Sequence, residues 1–217
     1  MTQGTGKKST DKIYIKYGIK RSTDIVLSSI GLIIVATPML IIAIVVKITS
    51  PGPILIRQER FGKDGKVFTM YKFRSMCDYA EQVLENIMDE DEAIRREYKA
   101  NKKLKNDPRV TKVGKILRET SLDELPQFLN ILLGHMSIVG PRPYLLGELD
   151  DVKSHKKYIF AFRPGLTGMW QVCGRNKLSF QDRLKLDKQY HKTSSSKTDV
   201  VILLKTVKVV LKKVGAK

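Results

Sequence analysis

Cysteine and histidine are scarce in this chain of 217 residues, which has two of the former and three of the latter. Cys77 and Cys173 lie far apart and belong to no paired motif, which argues against a disulfide scaffold and against a zinc site. The scattered His135, His155 and His191 add no metal-binding motif. The composition therefore fits a reducing compartment and a fold stabilised by a hydrophobic core.

Acidic residues are outnumbered, since 22 Asp and Glu face 40 Lys and Arg, giving a formal net charge of +18 and a pI near 9.9. This balance implies anionic partners, namely lipid headgroups, nucleic acid or phosphorylated metabolites. No stacking platform or nucleic-acid recognition motif is visible, and a nucleic-acid binder would not explain the apolar segment described next. We therefore expect no nucleic acid among the partners.

Charge is absent altogether from residues 25–46. As a helix these residues would be about 33 Å long, enough to cross a bilayer, and no cleavage site of a signal peptide follows them. Pro38, which follows Thr37, removes one helical hydrogen bond and favours a kink. Both flanks are basic, although positive charge normally marks only the cytoplasmic side. The flanking cations are Lys7, Lys8, Lys12, Lys16, Lys20 and Arg21 on one side and Lys47, Arg57, Arg60 and Lys63 on the other.

Two arrangements of this apolar segment remain open from its composition. In the first, a re-entrant helix enters the membrane, bends near Thr37 and Pro38, and returns to the same face. In the second, an ordinary membrane span tolerates the proline. We predict the first, because both ends carry the charge expected of a cytoplasmic flank.

The rest of the chain has the pattern of one soluble domain without internal repeats. Short alternating segments at 54–56 and 66–73 flank a glycine-containing turn and predict a β-hairpin. The predicted helices cover residues 78–103, 110–117, 125–133 and 180–190. Glycine and proline punctuate residues 136–174, which predicts loops there. The predicted fold class is thus α/β, mostly helical with a small β-hairpin.

The C-terminal stretch 199–213 has the pattern of an amphipathic helix. Its apolar stripe consists of Val200, Leu203, Leu204, Val207, Val210 and Leu211, and its basic stripe of Lys205, Lys208 and Lys212. Such a helix can lie in the headgroup region of a membrane, with its lysines on phosphates. The alternative is a terminal helix packed on the core. The lysines favour the interfacial position.

The adjacent carboxylates Asp123 and Glu124 are the leading catalytic candidates. Two acids among fixed cations suit a phosphate-handling site, where one attacks phosphorus or holds a divalent metal and the other moves a proton. The competing interpretation is a capping box, in which Ser121 and Glu124 satisfy backbone N–H groups at a helix start. Both interpretations stay open from this segment alone.

The surroundings of the acid pair favour the catalytic interpretation. Cations recur in short segments that are rich in Gly, Pro or aromatic residues, and arginine offers a planar fork suited to phosphate oxygens. These cations are Lys72, Arg74, Arg118, Arg142, Arg163 and Arg175. We expect Lys72, Arg74, Arg118, Arg142 and Arg175 to bind phosphate or substrate.

A series of motifs, in order along the chain, resembles the bacterial sugar transferases, which are monotopic polyprenyl-phosphate phosphoglycosyl transferases. The chain is similar to their minimal catalytic form. The matching segments are Lys20-Arg21 with Asp24, 50–53 (SPGP), 58–62 (QERFG), 71–76 (YKFRSM), 107–111 (DPRVT), 121–127 (SLDELPQ), 136–143 (MSIVGPRP), 163–168 (RPGLTG), 170–172 (WQV) and 174–176 (GRN). They cover almost everything from residue 20 onward, and together they are specific to this family.

The resemblance implies transfer of a sugar 1-phosphate from a UDP-sugar to undecaprenyl phosphate, and the sugar that it implies is a hexose. Asp123 would form a covalent phosphosugar intermediate and Glu124 would assist, with Mg²⁺ bound near Asp123 to neutralise diphosphate charge. Asp187 falls at a family position and would help shape the substrate site. Thr37 and Pro38 match the break of the family's re-entrant helix, where serine often precedes the proline.

The implied organisation has three parts: a basic N-terminal segment (1–20), a re-entrant membrane helix (21–49) and a cytosolic catalytic domain with a C-terminal interfacial helix (50–217). The implied location is the cytosolic face of the bacterial inner membrane, against its anionic leaflet. A homodimer is compatible with this location. The rival functions are a noncatalytic scaffold for polysaccharide assembly and a phosphatase in which water replaces the lipid.

Overall fold

The computed structural model describes residues 5–102 and 104–212, with their side chains except those of residues 5–17 and 176. Helices dominate these residues and short sheets complete the fold, so the expected mostly helical fold with a hairpin is confirmed. The helices are α1 (Thr5–Thr49), α2 (Ala80–Glu90), α3 (Glu92–Asn101), α4 (Lys112–Thr120), α5 (Gln127–Leu132), α6 (Lys156–Ile159), α7 (Met169–Cys173), α8 (Phe180–Thr193) and α9 (Ser196–Leu211). The strands are β1 (Leu55–Phe61), β2 (Val67–Phe73), β3 (Ser137–Val139) and β4 (Gly165–Thr167).

The predicted hairpin is formed by β1 and β2, which pair antiparallel from Leu55 opposite Phe73 to Phe61 opposite Val67. Its turn closes with a hydrogen bond from Gly62 N to Lys66 O at 2.7 Å. Phe68 and Met70 of β2 are buried in the core, and the strand also contacts the turn that follows α4. The hairpin thereby supports that turn from one side.

A second sheet lies where the sequence predicted only loops. β3 and β4 pair in parallel, with Ser137 opposite Gly165 and Val139 opposite Thr167. Gly140 continues this close approach, because a Cβ there would lie 2.4 Å from the Arg163 carbonyl oxygen. The glycines that suggested loops are needed where two backbones approach closely.

The predicted helix over 78–103 is two helices, α2 and α3, divided at Asp91. The Asp91 side chain accepts hydrogen bonds from Ala93 N and Ile94 N and so caps α3. Aspartate at such a position satisfies backbone donors that a continuous helix would have used. The division is therefore a capping effect that the Glu and Lys spacing does not reveal.

α1 is one helix that runs through Thr37 and Pro38, and is not divided there into two helices. The boundary predicted at residue 20 falls inside it. Within the described residues, one helix is long and apolar enough to cross a membrane, the part of α1 from Gly18 to Thr49, and most of it is exposed. Residues 1–4 of the predicted basic segment lie outside the described residues, as do the side chains of its lysines at 7, 8, 12 and 16.

The start of the apolar run is tied to the domain by polar contacts. Arg21 donates from both Nη atoms to carbonyl oxygens in the last turn of α5, at 2.6 and 2.8 Å. The buried Asp24 accepts hydrogen bonds from Ser137 Oγ at 3.0 Å and Ile138 N at 2.9 Å. A buried carboxylate needs such partners, so α1 is fixed to β3 at this point.

The end of the apolar run is tied to the same domain. Val46 is buried in a cluster with Phe73. Arg74 donates from Nη2 to the carbonyl oxygens of Val46, at 3.2 Å, and Ser50, at 2.6 Å. Its Nη1 donates to Pro53 O at 2.6 Å. Both ends of the uncharged run of α1 are thus held by one body.

Large apolar side chains remain exposed on two helices. On α1, Ile33 is 78% exposed and Ile34 70%, and on α9, Leu211 is 78% exposed. The predicted stripe of α9 is exposed except for Leu203, which packs on the core beside the buried Ile202. α9 therefore docks through one face and leaves its apolar stripe uncovered, while residue 213 lies outside the described residues. Patches of this kind mark contact surfaces for membranes or proteins.

Candidate active site

The acid pair lies on a tight turn between α4 and α5. α4 is followed by Ser121, whose φ of 61° is left-handed, and then by a single 3₁₀ turn from Leu122 to Glu124. This reversal turns Asp123 inward, where it is only 7% exposed, while Glu124 is partly exposed. The two carboxylates therefore lie in the same turn but differ in their exposure to solvent.

The capping-box interpretation of this segment is wrong. The Ser121 side chain makes no capping hydrogen bond to the turn and instead accepts a hydrogen bond from Arg175 Nη2 at 2.5 Å. The Glu124 carboxylate accepts from Lys72 Nζ at 2.8 Å. Both side chains are directed to the cations of other elements and not to the backbone at a helix start.

The two carboxyl groups have pKa values shifted in opposite directions. Burial raises the pKa of Asp123 to about 6, against the opposing charge of Lys72 and with a further rise from Glu124. Burial also acts to raise the pKa of Glu124, but the charge and hydrogen bond of Lys72 outweigh it, so that pKa lies below its usual value. Near neutral pH both acids are ionised, and Asp123 is the more basic of the two.

Four predicted cations surround this pair. The charges of Lys72 and Arg118 act on Asp123, and those of Arg142 and Arg175 act on Glu124. The Nη1 atoms of Arg118 and Arg175 are buried and have no hydrogen-bond partner among the described residues. Unpaired guanidinium donors beside ionised carboxylates suit a ligand that brings its own oxygen atoms, as a phosphate does.

Asp187 contacts one of these four cations, Arg142, through its backbone. Asp187 is 1% exposed, and its Oδ2 accepts hydrogen bonds from Tyr144 Oη at 2.7 Å and from Arg142 N at 3.4 Å. Burial raises its pKa to about 7, while these two partners act in the opposite direction. Asp187 thereby supports the loop that carries Arg142, and its role in shaping the substrate site stays a prediction.

Arg74 is not brought to the acid pair. Its Nη atoms make hydrogen bonds at the end of α1 and in the segment that follows. Nothing in these contacts directs it toward Asp123, so phosphate binding by Arg74 stays a prediction. Arg163, named with the other loop cations, donates from Nε to Gly134 O at 2.7 Å.

Three residues near the site were not selected from the sequence. Arg60 is buried, and burial lowers its pKa to about 9, with Arg142 lowering it further. Trp170 and the buried Arg183 lie beside Arg142. Arg183 and Asp187 are one turn apart on α8, and the apolar neighbour Leu184 was the available sign that this face is buried.

The acid pair is compatible with Mg²⁺. Among the described residues no three His, Cys, Asp or Glu side chains gather into a group that could hold a metal alone. Mg²⁺ is typically bound through one or two carboxylates together with substrate phosphates, and Asp123 with Glu124 supplies such carboxylates. The donor set therefore fits a metal that arrives with a phosphorylated substrate.

Fold and site together define a protein in which a pair of carboxylates surrounded by cations lies on the same body as a long, exposed apolar helix. Residues 15–213 match the family of bacterial sugar transferases. The chain belongs to this family, which confirms the resemblance drawn from its motifs.

Individual relatives carry more specific names. The undecaprenyl-phosphate galactose phosphotransferase of Salmonella typhimurium is 43% identical over 198 residues, which are 91% of this chain and 41% of that protein. The exopolysaccharide production protein ExoY of Rhizobium meliloti is 42% identical over 188 residues, 87% of this chain and 83% of that protein. The UDP-glucose:undecaprenyl-phosphate glucose-1-phosphate transferase of Escherichia coli is 39% identical over 197 residues, which cover 87% of this chain and 39% of that protein. The chain thus spans about two fifths of the length of several relatives that it matches.

Proposed function

We propose that this chain transfers a sugar 1-phosphate from a UDP-sugar to undecaprenyl phosphate, giving undecaprenyl-diphosphate-sugar and UMP. The observation that carries the proposal is the buried Asp123 beside Glu124, with the unpaired guanidinium donors of Arg118 and Arg175 around the pair. Membership of the sugar transferase family supports it, as do the names of the relatives. Those relatives are named for galactose and glucose, which supports a hexose in this chain.

The proposed reaction has two displacements at the same phosphorus. A carboxylate oxygen of Asp123 attacks the β-phosphorus of the donor, the bond to the bridging oxygen breaks, and UMP leaves with the electron pair. An oxygen of the lipid phosphate then attacks that phosphorus and releases Asp123. Glu124, which stays ionised beside Lys72, positions the lipid phosphate or accepts its proton.

Mg²⁺ is the cofactor that fits this chemistry, because it neutralises charge on a diphosphate. Asp123 would hold it, with the donor phosphates completing the coordination. Lys72, Arg118, Arg142 and Arg175 surround the same phosphates in this proposal and stabilise the charge that develops on the leaving group.

The proposed setting is the cytosolic face of the bacterial inner membrane, in a monotopic arrangement. Asp24 and Val46, near opposite ends of the apolar run, both contact the same domain. A perpendicular span would carry these two points to opposite sides of the bilayer. The exposed apolar residues of α1 and α9 supply the surface that would enter the anionic leaflet. A homodimer remains compatible with this setting.

Labelling of introduced cysteines tests the topology. We expect cysteines placed at residues 20 and 50, one variant at a time, to react with an impermeant reagent from the cytosolic side only. The background variant replaces Cys77 and Cys173 with serine and controls for native thiols. Labelling of the two positions from opposite sides would establish an ordinary span.

The pH dependence of the first displacement follows from the pKa of Asp123. Because the attacking group must be ionised, and its pKa is raised to about 6, the single-turnover rate should fall as the pH is lowered through 6. A pH–rate profile of UMP release before lipid is added measures this. A rate that stays constant from pH 7 to pH 5 would contradict Asp123 as the attacking group.

The function is tested by UMP release from the purified protein with undecaprenyl phosphate, Mg²⁺ and a panel of UDP-sugars. We expect release with one hexose donor that is coupled to formation of the lipid product. Donor hydrolysis at the same rate without lipid would favour a phosphatase. Folded protein that releases no UMP from any donor would favour a noncatalytic scaffold.

A further inference from the structure

Two guanidinium groups share one aromatic ring next to the acid pair. Trp170, the single tryptophan of the chain, has Arg142 Cζ 5.1 Å from its ring centroid and Arg183 Cζ 5.7 Å from it. Both distances lie within the range at which a cation is attracted to the face of an indole. We call these three residues the indole cluster.

The indole cluster combines positive charge with unpaired hydrogen-bond donors. The Nε atoms of Arg142 and Arg183 and the Nε1 atom of Trp170 are buried, and none has a hydrogen-bond partner among the described residues. Arg183 is 3% exposed and donates from Nη2 to a backbone carbonyl at 3.3 Å. Buried donors of this kind are normally paired, so the cluster is prepared for a ligand with several acceptor oxygens.

Neighbouring carboxyl groups act on the cluster through their charge but form no ion pair with it. Asp187 Oδ1 and Glu148 Oε1 are themselves buried without a hydrogen-bond partner among the described residues. Asp187 Oδ2 is occupied by Tyr144 and by the backbone N of Arg142, and Glu148 Oε2 accepts from a backbone N–H at 2.7 Å. Within the described part of the chain, neither Arg142 nor Arg183 forms an ion pair. Burial and then the like charge of Arg142 lower the pKa of Arg183, and these effects outweigh the opposing charges of Tyr144, Glu148 and Asp187.

We propose that the indole cluster binds the diphosphate of the nucleotide-sugar donor, with Arg142 contacting it and with Trp170 and Arg183 as positioning residues. The inference rests on the proposed function for the identity of the donor. Arg142 is close enough for its charge to act on Glu124, so a diphosphate held by it would lie beside the acid pair. The indole restricts the Arg142 guanidinium to one orientation before the ligand arrives.

Fluorescence provides a direct test, because all tryptophan emission of the chain comes from Trp170. We expect UDP to change this emission saturably, and uridine, which lacks the phosphates, to leave it unchanged. In the Arg142→Gln variant the apparent Kd for UDP should rise about tenfold or more. UDP binding that is seen by calorimetry without any change in tryptophan emission would overturn the proposal.

Substitution of the ring separates positioning from general stability. Trp170→Phe keeps an aromatic face, and its KM for the UDP-sugar should stay within about threefold of the wild-type value. Trp170→Leu should raise that KM about tenfold while kcat changes much less, because Asp123 is unaltered. Equal KM values for the two variants, both with wild-type circular dichroism, would contradict the proposal.

A matched control lies on the same helix as Arg183. Lys185 is exposed on α8, where it pairs only with Asp182 in the described contacts, and Lys185→Gln should leave the UDP affinity unchanged. Arg183→Gln should raise the Kd for UDP several-fold. Equal effects of the two substitutions would assign the loss to net charge and overturn the proposal.

The two proposals fail in different ways. A change of Trp170 emission on addition of UDP, with no transfer to any lipid, would refute the proposed function. The indole cluster would then remain as a nucleotide-binding site. Transfer that depends on Asp123, together with unchanged UDP affinity in Trp170→Leu, would refute the proposed role of the indole cluster and support the proposed transferase function.

Discussion

Replacement of Asp123 by Asn is expected to reduce UMP release by a factor of at least about 10³, the largest effect of any single change considered. The amide has nearly the same shape as the carboxylate, so it fits the same buried turn. It has no anionic oxygen to attack phosphorus, and the first displacement is lost. The measurement is single-turnover UMP release at saturating donor and Mg²⁺.

Two comparisons make the Asp123 result specific. Labelled UDP-sugar without lipid should leave the sugar phosphate covalently attached to the wild-type protein and not to Asp123→Asn. The neighbouring Glu124→Gln, which is isosteric as well, should lose only about 10- to 100-fold and should retain the label. Activity of Asp123→Asn within tenfold of wild type would exclude the covalent route.

Replacement of Lys72 by Gln is the second large effect, and we expect kcat/KM to fall about 100-fold. Lys72 is the direct partner of Glu124 at 2.8 Å and the strongest opposing charge on Asp123. Without it, the pKa values of both carboxyl groups should rise, since burial then acts unopposed by its nearest cation. The decline in rate on acidification should therefore begin at a higher pH than in the wild type.

The matched control for Lys72 is Lys66→Gln in the same hairpin. Lys66 is exposed just before β2, and its backbone, not its side chain, closes the turn. The same charge is removed from the same sheet, so a general electrostatic effect would appear in both variants. Wild-type kinetics in Lys66→Gln and a shifted pH profile only in Lys72→Gln are the expected outcome. An unshifted profile in Lys72→Gln would refute its role at the acid pair.

The sequence predicted those parts of the fold and site that depend on residues close together along the chain. The hairpin follows from alternation around a glycine turn, and the acid pair from two carboxylates next to loops rich in arginine. β3 and β4 were missed because each has three residues, too few for a periodic signal, and they pair only through long-range contacts.

Lys72 and Arg74 show the same limit within one tetrapeptide. Lys72 lies inside β2 and reaches Glu124, whereas Arg74 lies one residue beyond the strand and turns to the end of α1. The sequence does not mark where the strand stops. Arg183 was missed because a charged residue on a helix is usually solvated, and only the packing of α8 shows that this one is buried.

The contact between Asp24 and β3 has a consequence for the order in which the protein is made. Synthesis proceeds from the N-terminus, so the ribosome adds Ser137 113 residues after Asp24. At typical bacterial speeds this takes roughly 6 to 23 s. Throughout that interval an emerging α1 carries a carboxylate that lacks its final partners, next to a run already able to enter lipid. In the proposed membrane setting, the domain would therefore dock on an α1 that was synthesised seconds before its partner strand.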